Sequence, residues 1–228
     1  MNADTNNMNF DKRVDFGNFD SNLLFLPKSG LLDKRNKILE IGSGNGRMLN
    51  HLRNEGYNVL GLEKKEIVIE KSKLLYGDLQ IQKVDSEKLP FSDNSFDIVI
   101  SFDVFEHIPD SDKHLNEVFR VLSKGGHYLL QTPNKYTNSI FETIRWKSFS
   151  RWKIDHCSLH TYKQIIKRFN KCGFEVKFVQ IPIVNDFFKR KVKRYLGSFK
   201  LLLIKIINPD KLPTNLQTNF YVIAKKKQ

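Results

Sequence analysis

The sequence predicts an α/β protein with a doubly wound sheet, and three observations support that prediction. Strand-like and helix-like patterns alternate along most of the chain, as expected when each strand is followed by a crossover helix. An apolar segment at 37–41 runs directly into a glycine-rich turn and then into a helical pattern, which is typical of the first unit of such a sheet. The 228 residues are enough for one domain of this class with a large core.

The spacing of apolar residues, and the residues that stop each pattern, predict the elements in order. A short helix at 23–26, ended by Pro27, is expected at the edge of the domain. The predicted strands are 37–41, 57–62, 78–84, 96–102, 127–132, 174–183 and 220–224. The predicted helices are 46–55 with Gly56 as its stop, a segment around 67–74, 111–122 ended by Gly125 and Gly126, and one that starts at the Thr161–Gln164 capping box and closes at Gly173. Residues 134–160 are less periodic, and 185–218 are basic and partly helical.

The turn after the first strand is the most informative segment, because Gly42, Gly44 and Gly46 alternate with other residues there. Glycine permits positive φ and lets a ligand approach the backbone, so a small-molecule site is expected at this turn. A dinucleotide-binding turn needs a small third residue, and this sequence has Arg47 or Leu49 at that place. An NAD-type enzyme is therefore disfavoured.

Glu40 stands just before the glycine turn and narrows the choice of ligand. A carboxylate there would repel a pyrophosphate, whereas it suits a ligand that carries an ammonium or sulfonium group. On this turn alone, a glycine-rich turn of any doubly wound protein stays open as the alternative, because fold does not fix function.

Several ordered motifs match one known family. The acidic residue precedes Gly-x-Gly-x-Gly, and a run of Leu-Pro-Phe-x-Asp-x-Ser-Phe-Asp leads into the fourth strand. The matching segments are 40–46, 89–97, 119–126, His156, Thr161 and 173–174, which together cover roughly 36–184. The chain resembles class I S-adenosylmethionine-dependent methyltransferases, and among them small-molecule enzymes such as those of ubiquinone synthesis. The resemblance implies a Rossmann-like, seven-stranded sheet of order 3-2-1-4-5-7-6 with strand 7 antiparallel, and S-adenosylmethionine as methyl donor.

The resemblance also implies where the donor binds. The glycine turn would receive the methionine part of the donor, with Glu40 near its ammonium group. Glu63 would hold the ribose hydroxyls, unless it is only an acid at a helix N-terminus. Asp85 would accept a hydrogen bond from the adenine amino group, unless it is only a turn residue. The predicted donor-binding residues are Glu40, Gly42, Ser43, Gly44, Gly46, Glu63, Asp85, Ser86 and Ser101.

Asp103, Glu106 and His107 follow the fourth strand, in a stretch that faces the methyl acceptor in the family. His107 is the predicted catalytic residue, because an unperturbed histidine pKa of about 6.5 suits proton removal. The same three residues could instead hold a divalent ion such as Mg²⁺, as Glu-x-x-Glu-His sites do in some family members. The shorter Asp103 and the lack of an identifiable fourth ligand count against that alternative. A role of Glu106 and His107 in shaping the acceptor pocket also stays open.

Two cysteines do not form a disulfide framework, and a zinc site is disfavoured as well. The candidate zinc ligands His156, Cys157, His160 and Cys172 have spacings that match no standard finger. His156 is expected to border the acceptor pocket or to be structural.

Charge is distributed unevenly. Residues 1–144 hold 18 Lys and Arg against 21 Asp and Glu, whereas 145–228 hold 20 against 4. The basic part suits an anionic partner, either a membrane surface with a lipid-like substrate or nucleic acid, although a solvated lysine-rich face would look the same. The sequence contains neither a run long enough to span a membrane nor a secretory pattern at its start. We expect a cytoplasmic protein, peripheral to a membrane in the lipid interpretation.

These inferences predict one domain over 1–228, with 1–34 as an N-terminal cap and with 134–160 and 185–219 as insertions that form a lid on the acceptor side. The expected activity is methyl transfer to a small-molecule or lipid-like acceptor by in-line displacement. An RNA-directed methyltransferase or a basic RNA-binding module is the alternative. Residues 102–105 read Phe-Asp-Val-Phe, which lacks the Pro-Pro motif of base amino methylation. The acceptor and the oligomeric state stay open.

Overall fold

A computed structural model of the chain describes residues 18–148, 156–196 and 208–227, and its centre is a seven-stranded sheet. The strand order is β3-β2-β1-β4-β5-β7-β6. β7 runs antiparallel to both of its neighbours, whereas the other pairs are parallel. The strands are β1 Lys37–Ile41, β2 Asn58–Glu63, β3 Ile81–Lys83, β4 Phe96–Phe102, β5 Leu122–Pro133, β6 Phe174–Val179 and β7 Asn219–Lys226. The predicted fold class, strand order and antiparallel seventh strand are confirmed.

Helices cover both faces of the sheet, so the central strands are buried on both sides. The helices of eight or more residues in the described segments are α1 Phe19–Ser29, α2 Arg47–Asn54, α3 Glu66–Tyr76, α4 Ser111–Val121, α5 Lys135–Trp146, α6 Tyr162–Lys171 and α7 Asp186–Leu196. One core cluster joins Leu39 of β1 to α4 and α6. The other joins Ile38 of β1 to α1 and α2. Adjacent residues of β1 thus point into opposite cores, as the pleat of a strand requires.

Several predicted boundaries are wrong, and local chemistry explains two of them. α1 continues past Pro27 to Ser29. A proline in the last turn removes only one helical N–H, so it does not stop the helix, and Gly30 in the left-handed region ends it instead. Gly125 and Gly126 do not end α4, which stops at Val121. Gly125, with φ of 74°, lies inside β5 next to a register shift against β4. The glycines therefore form an irregularity in a strand.

Other boundaries differ mainly in extent. The third strand spans Ile81–Lys83 rather than 78–84, and the sixth ends at Val179 rather than at 183. The capping box of Thr161 and Gln164 is present with both of its hydrogen bonds. The less periodic segment 134–160 contains the twelve-residue helix α5.

Both predicted insertions leave the same rim of the sheet. β6 is antiparallel to β7 and β7 to β5, so β5 and β6 are parallel, and α5 and α7 follow their C-terminal ends. α5 packs against α7. The Asn134 side chain, just before α5, donates to the backbone oxygens of Asn215 (3.0 Å) and Gln217 (2.8 Å) near the start of β7. The two insertions are therefore in contact. Phe149, Trp152 and residues 197–207, which carry part of the predicted lid, lie outside the described residues.

Candidate functional site

The glycine turn is fastened to the end of β2 by its backbone. The N–H groups of Gly42 and Ser43 both donate to the Leu62 oxygen at 2.8 Å, and Gly46 N–H donates to the Ser43 oxygen at 2.8 Å. Gly42, Gly44 and Gly46 have φ values of 74°, 53° and 80°. Residues with a Cβ rarely adopt this region, so the alternating glycines are required by the shape of the turn.

The three glycines face different surroundings. A Cβ at Gly42 would lie 2.3 Å from a methyl carbon of Val104, and one at Gly46 would lie 2.2 Å from the Ser72 hydroxyl. A Cβ at Gly44 would meet no atom of the described residues within 4 Å. Gly42 and Gly46 therefore allow close packing within the protein. Gly44 leaves open space beside the backbone, where a ligand could approach it.

Glu63, at the end of β2, contacts the same turn. Its Oε2 accepts from the N–H of Gly44 at 3.1 Å, and its Oε1 accepts from the N–H groups of Lys64 (2.9 Å) and Lys65 (3.0 Å). The carboxylate thus positions the glycine turn and also satisfies amides just before α3. Each carboxylate oxygen has more than one lone pair, so these bonds leave acceptor capacity for a ligand hydroxyl.

Glu40 lies buried beneath the turn, with 4% of its surface exposed. Its Oε2 has no hydrogen-bond partner among the described residues. Burial raises the pKa of Glu40 to about 7, and the negative charge of Glu63 also favours the protonated form. A buried carboxyl oxygen without a partner is costly, and a cationic ligand group would relieve that cost.

The remaining predicted donor-binding residues, Asp85, Ser86 and Ser101, differ in burial. Asp85 is exposed and forms an ion pair with Lys64 Nζ at 2.7 Å, which lowers its pKa. Ser101 is fully buried, and its hydroxyl lies 2.6 Å from the Tyr128 hydroxyl. The Tyr128 hydroxyl lies 3.1 Å from Nε2 of His114, whose Nδ1 lies 3.0 Å from the Ser86 oxygen. The Ser101 hydroxyl and the Ser86 backbone oxygen are thus the ends of one hydrogen-bonded chain, which is buried at Ser101 and partly buried at Ser86.

His114, in the middle of this chain, was not identified from the sequence. It is fully buried, and burial lowers its pKa to about 4, so the imidazole is neutral near pH 7. Its position beside Leu115 on the buried face of α4 was the available signal.

The residues after β4 form the acceptor side of the candidate site. Asp103 has a positive φ of 55°, and its carboxylate accepts from the Asn18 amide at 3.1 Å. Glu106 is 2% exposed and accepts from the Thr132 hydroxyl at 3.0 Å. Burial, and then the nearby Asp103, raise the pKa of Glu106 to about 8. The Glu106 carboxyl is therefore mostly protonated at neutral pH unless a cation lies beside it.

His156 joins this group from a distant part of the chain. Its ring centroid lies 5.1 Å from that of His107, and its Nδ1 lies 3.0 Å from the Asn138 amide nitrogen on α5. Three potential metal-ligand atoms, one from each of Glu106, His107 and His156, lie within 4.8 Å of one another. Asp103 is outside this group, so the structure assembles a different trio from the predicted one. Two imidazoles and one carboxylate can hold a divalent ion, but they suit a transition metal better than Mg²⁺.

An open groove of about 820 Å³ runs from the predicted adenine rim along the start of α4. Lys64 and Asp85 line one end, and His160 and Arg168 line the other. It does not include the glycine turn. His160 is 3% exposed, its Nδ1 has no hydrogen-bond partner among the described residues, and burial lowers its pKa to about 4.

The start of α1 bridges the two sides of the site. Asn18 contacts Asp103 on the acceptor side, while the Phe19 ring lies 3.7 Å from the Arg47 guanidinium just after the glycine turn.

Among the described helices, none is both long and apolar enough to cross a bilayer.

Known proteins match the chain both in sequence and in fold. The sequence profile of a family described as "Methyltransferase domain" matches residues 12–177. A protein of Mycolicibacterium smegmatis, named as a probable S-adenosylmethionine-dependent methyltransferase, is 34% identical over 102 residues, which is 45% of this chain and 40% of that protein. A ubiquinone biosynthesis O-methyltransferase of Pelagibacter ubique is 28% identical over 123 residues, or 52% of this chain and 51% of that protein. The chain thus spans about half or less of the length of these relatives.

Among solved structures, a phosphoethanolamine N-methyltransferase of Haemonchus contortus in complex with phosphomonomethylethanolamine and S-adenosylhomocysteine superposes with a TM-score of 0.65. It is 22% identical, and the match covers 92% of this chain and 53% of that one. This likeness shows that the two chains share a fold.

Proposed function

The chain belongs to the methyltransferase-domain family, and we propose that it transfers the methyl group of S-adenosylmethionine to a small-molecule or lipid-like acceptor. One observation carries the proposal. The glycine turn has open space at Gly44, and a buried carboxyl oxygen of Glu40 beside the turn has no hydrogen-bond partner in the described part of the chain. This arrangement suits a ligand that combines close backbone approach with a cationic group, as the donor's methionine part does.

The donor would bind along the C-terminal ends of β1 to β4. The turn of Gly42, Ser43, Gly44 and Gly46 receives the methionine part, and Glu40 pairs with its ammonium group. Binding of a cation favours the ionised form of Glu40, so the pKa of Glu40 is lower in the complex than in the free protein. Glu63 accepts from the ribose hydroxyls in addition to the amides that it already holds.

Adenine would lie between the loop after β3 and the end of β4. Asp85 is exposed at that rim and can exchange its ion pair with Lys64 for a hydrogen bond from the adenine amino group. Ser86 and Ser101 contribute through the hydrogen-bonded chain that connects the loop after β3 to the end of β4 beside the donor.

In the transfer, a lone pair of the acceptor attacks the donor methyl carbon from the side opposite to sulfur. The carbon–sulfur bond breaks, its electron pair stays on sulfur, and S-adenosylhomocysteine leaves. Because the sulfonium methyl is already electrophilic, the protein's main contribution is alignment, for which effective molarities of about 10⁵–10⁸ M are available. An acceptor hydroxyl or protonated amine must also lose a proton.

His107 is the candidate base for that proton. It is partly exposed and close to both Glu106 and His156. Glu106 is a poorer candidate in the free protein, since its carboxyl is mostly protonated near pH 7. If a divalent ion binds Glu106, His107 and His156, it would supply a positive charge next to the acceptor oxygen. The chain's own groups there would then orient the acceptor.

The names of relatives support a small acceptor, because they include enzymes of ubiquinone biosynthesis and of menaquinone methylation. The basic charge of 145–228 favours the alternative of an RNA acceptor. We propose further that 1–228 forms one domain in the cytoplasm. In that domain 1–34 forms an N-terminal cap, in which Asn18 contacts Asp103 on the acceptor side and Phe19 contacts Arg47 on the donor side. Residues 134–160 with 185–219 form the acceptor-side lid.

A transfer assay with methyl-labelled donor tests the proposal. Purified protein is incubated with panels of phenols and quinols, lipid extracts and tRNA, and Gly44→Ala serves as the binding-deficient control. Label incorporation into a phenol, quinol or lipid, lost in Gly44→Ala, is the expected result. Incorporation into tRNA alone would favour the RNA-directed alternative. For any acceptor that is found, His107→Ala should lower turnover by about 10²-fold or more, with donor affinity unchanged, if His107 is the base.

A further inference from the structure

Helix α5 has its apolar side turned to solvent. Tyr136, Ile140 and Ile144 recur every four residues on one face of the helix, and they are 62%, 63% and 44% exposed. On the opposite side, Asn138 contacts His156, and Glu142 is only 4% exposed. A helix at the surface of a globular protein normally buries its apolar stripe and exposes its polar one. The exposed apolar stripe of α5 therefore points to a second apolar phase on its outer side.

Helix α7 places positive charge beside this stripe. It packs against α5 and carries the exposed residues Lys189, Arg190, Lys193 and Arg194. Their spacing places them on one face of the helix, while Val192 on another face is buried. We call the apolar stripe of α5 together with the basic face of α7 the α5–α7 face.

The α5–α7 face lies at the rim of the sheet where the candidate site opens. α5 starts directly after β5, and α7 follows β6, which runs parallel to β5. Through Asn138, the inner side of α5 touches the group of Glu106, His107 and His156. A surface bound to the outside of α5 would therefore lie close to the acceptor side of the site.

We propose that the α5–α7 face docks on an anionic lipid bilayer, with Tyr136, Ile140 and Ile144 entering the interface and α7 contacting the headgroups. An exposed apolar stripe beside a basic helix is the combination that binds anionic membrane surfaces. Nucleic acid would be attracted to the basic face but would gain little from exposed isoleucines. A second copy of the chain would bring two basic faces together at the cost of charge repulsion. Docking does not depend on methyl transfer, so it can be tested separately from the proposed function.

The experiment is co-sedimentation of the full chain with vesicles of phosphatidylcholine alone and with vesicles containing phosphatidylglycerol. We expect binding to the anionic vesicles only. The variants Ile140→Ser/Ile144→Ser and Lys193→Gln/Arg194→Gln should each weaken it, the second by about tenfold or more, given the usual contribution of each basic residue. Matched controls change exposed residues of the same kinds elsewhere. Ile67→Ser/Leu74→Ser on α3 and Lys163→Gln/Lys167→Gln on α6 should bind like the wild type.

Circular dichroism and thermal melting of each variant identify loss of folding, and sedimentation velocity identifies any change of oligomeric state. Equal binding to neutral and anionic vesicles, or none to either at low salt, would overturn the proposal. Two further results would also overturn it. One is a dimer that dissociates in Ile140→Ser/Ile144→Ser. The other is a wild-type chain that binds RNA but not vesicles and that loses RNA binding in Lys193→Gln/Arg194→Gln.

Discussion

The donor side and the acceptor side of the candidate site are built in different ways. On the donor side, Gly42, Gly44 and Glu63 lie within one βαβ unit. The Gly42 N–H donates to the Leu62 oxygen, and the Gly44 N–H donates to the Glu63 carboxylate. On the acceptor side, Glu106 and His156 come from segments fifty residues apart, and α5 holds one of them. A local unit can be specified by a short motif, whereas a site assembled from distant segments depends on the tertiary fold.

Each side also contains one buried carboxyl group with a raised pKa, Glu40 on the donor side and Glu106 on the acceptor side. Both groups are poised to pair with a cation. The donor side offers the cleaner test, because its glycines divide into those that pack against the protein and one that faces open space.

The largest effect is expected for Gly46→Ala. Its Cβ would lie 2.2 Å from the Ser72 hydroxyl and 2.7 Å from a methyl carbon of Leu79, at a φ of 80°. We expect the free energy of unfolding to fall by about 2–5 kcal/mol, from the clash and the backbone strain together. Urea denaturation measures it. Gly44→Ala is the control, because its Cβ meets no neighbour in the described segments and only the backbone strain of about 1–2 kcal/mol remains. Equal losses in the two variants would contradict the division of the glycines.

Glu63→Ala should weaken S-adenosylmethionine binding by about 1–3 kcal/mol, because the ribose hydroxyls and the Gly44 amide both lose an acceptor. Titration calorimetry measures the dissociation constant. Glu66→Ala, at the exposed start of α3, is the control and should bind like the wild type. A change of less than about twofold for Glu63→Ala would leave Glu63 as a local acceptor for the backbone amides and nothing more.

The ionisation of Glu40 predicts how protein stability and donor affinity depend on pH. Burial raises the pKa of Glu40 from its ordinary value of 4.5 to about 7 in the folded chain, so the folded state holds the proton more tightly. Stability from this group is present below pH 4.5 and is lost as pH rises from there through about 7. Glu40→Gln should flatten this part of the stability profile, leaving the contribution of Glu106. Donor affinity should rise with pH through about 7 in the wild type and stay level in Glu40→Gln. A level wild-type profile would remove Glu40 from the donor site.

The sequence predicted the strand order and the glycine turn because these depend on local patterns and on motif resemblance. It missed α5, whose β-branched residues Thr137, Ile140 and Thr143 lower helix propensity. It also missed that His156 meets His107, since no spacing along the chain links residues brought together by the fold. The chain of Ser101, Tyr128 and His114 was hidden for the same reason.

The smallest effect is expected for Asp85→Asn. The ion pair between Lys64 and Asp85 is largely exposed, so its loss should cost less than about 1 kcal/mol in the free energy of unfolding. Donor affinity should fall only slightly, since an amide oxygen can still accept from the adenine amino group. Thermal melting and calorimetry measure both quantities. A loss of affinity as large as that of Glu63→Ala would show that the adenine end contributes as much as the ribose end.

Calorimetric titration of the purified full chain with S-adenosylmethionine, S-adenosylhomocysteine and NAD tests the central claim most directly, with Gly44→Ala as the matched variant. We expect both adenosyl compounds to bind with dissociation constants on the order of micromolar, NAD not to bind, and Gly44→Ala to fold but to lose binding. Binding of NAD without either adenosyl compound, or unchanged donor binding in Gly44→Ala, would contradict the assignment of the glycine turn as the methyl-donor site.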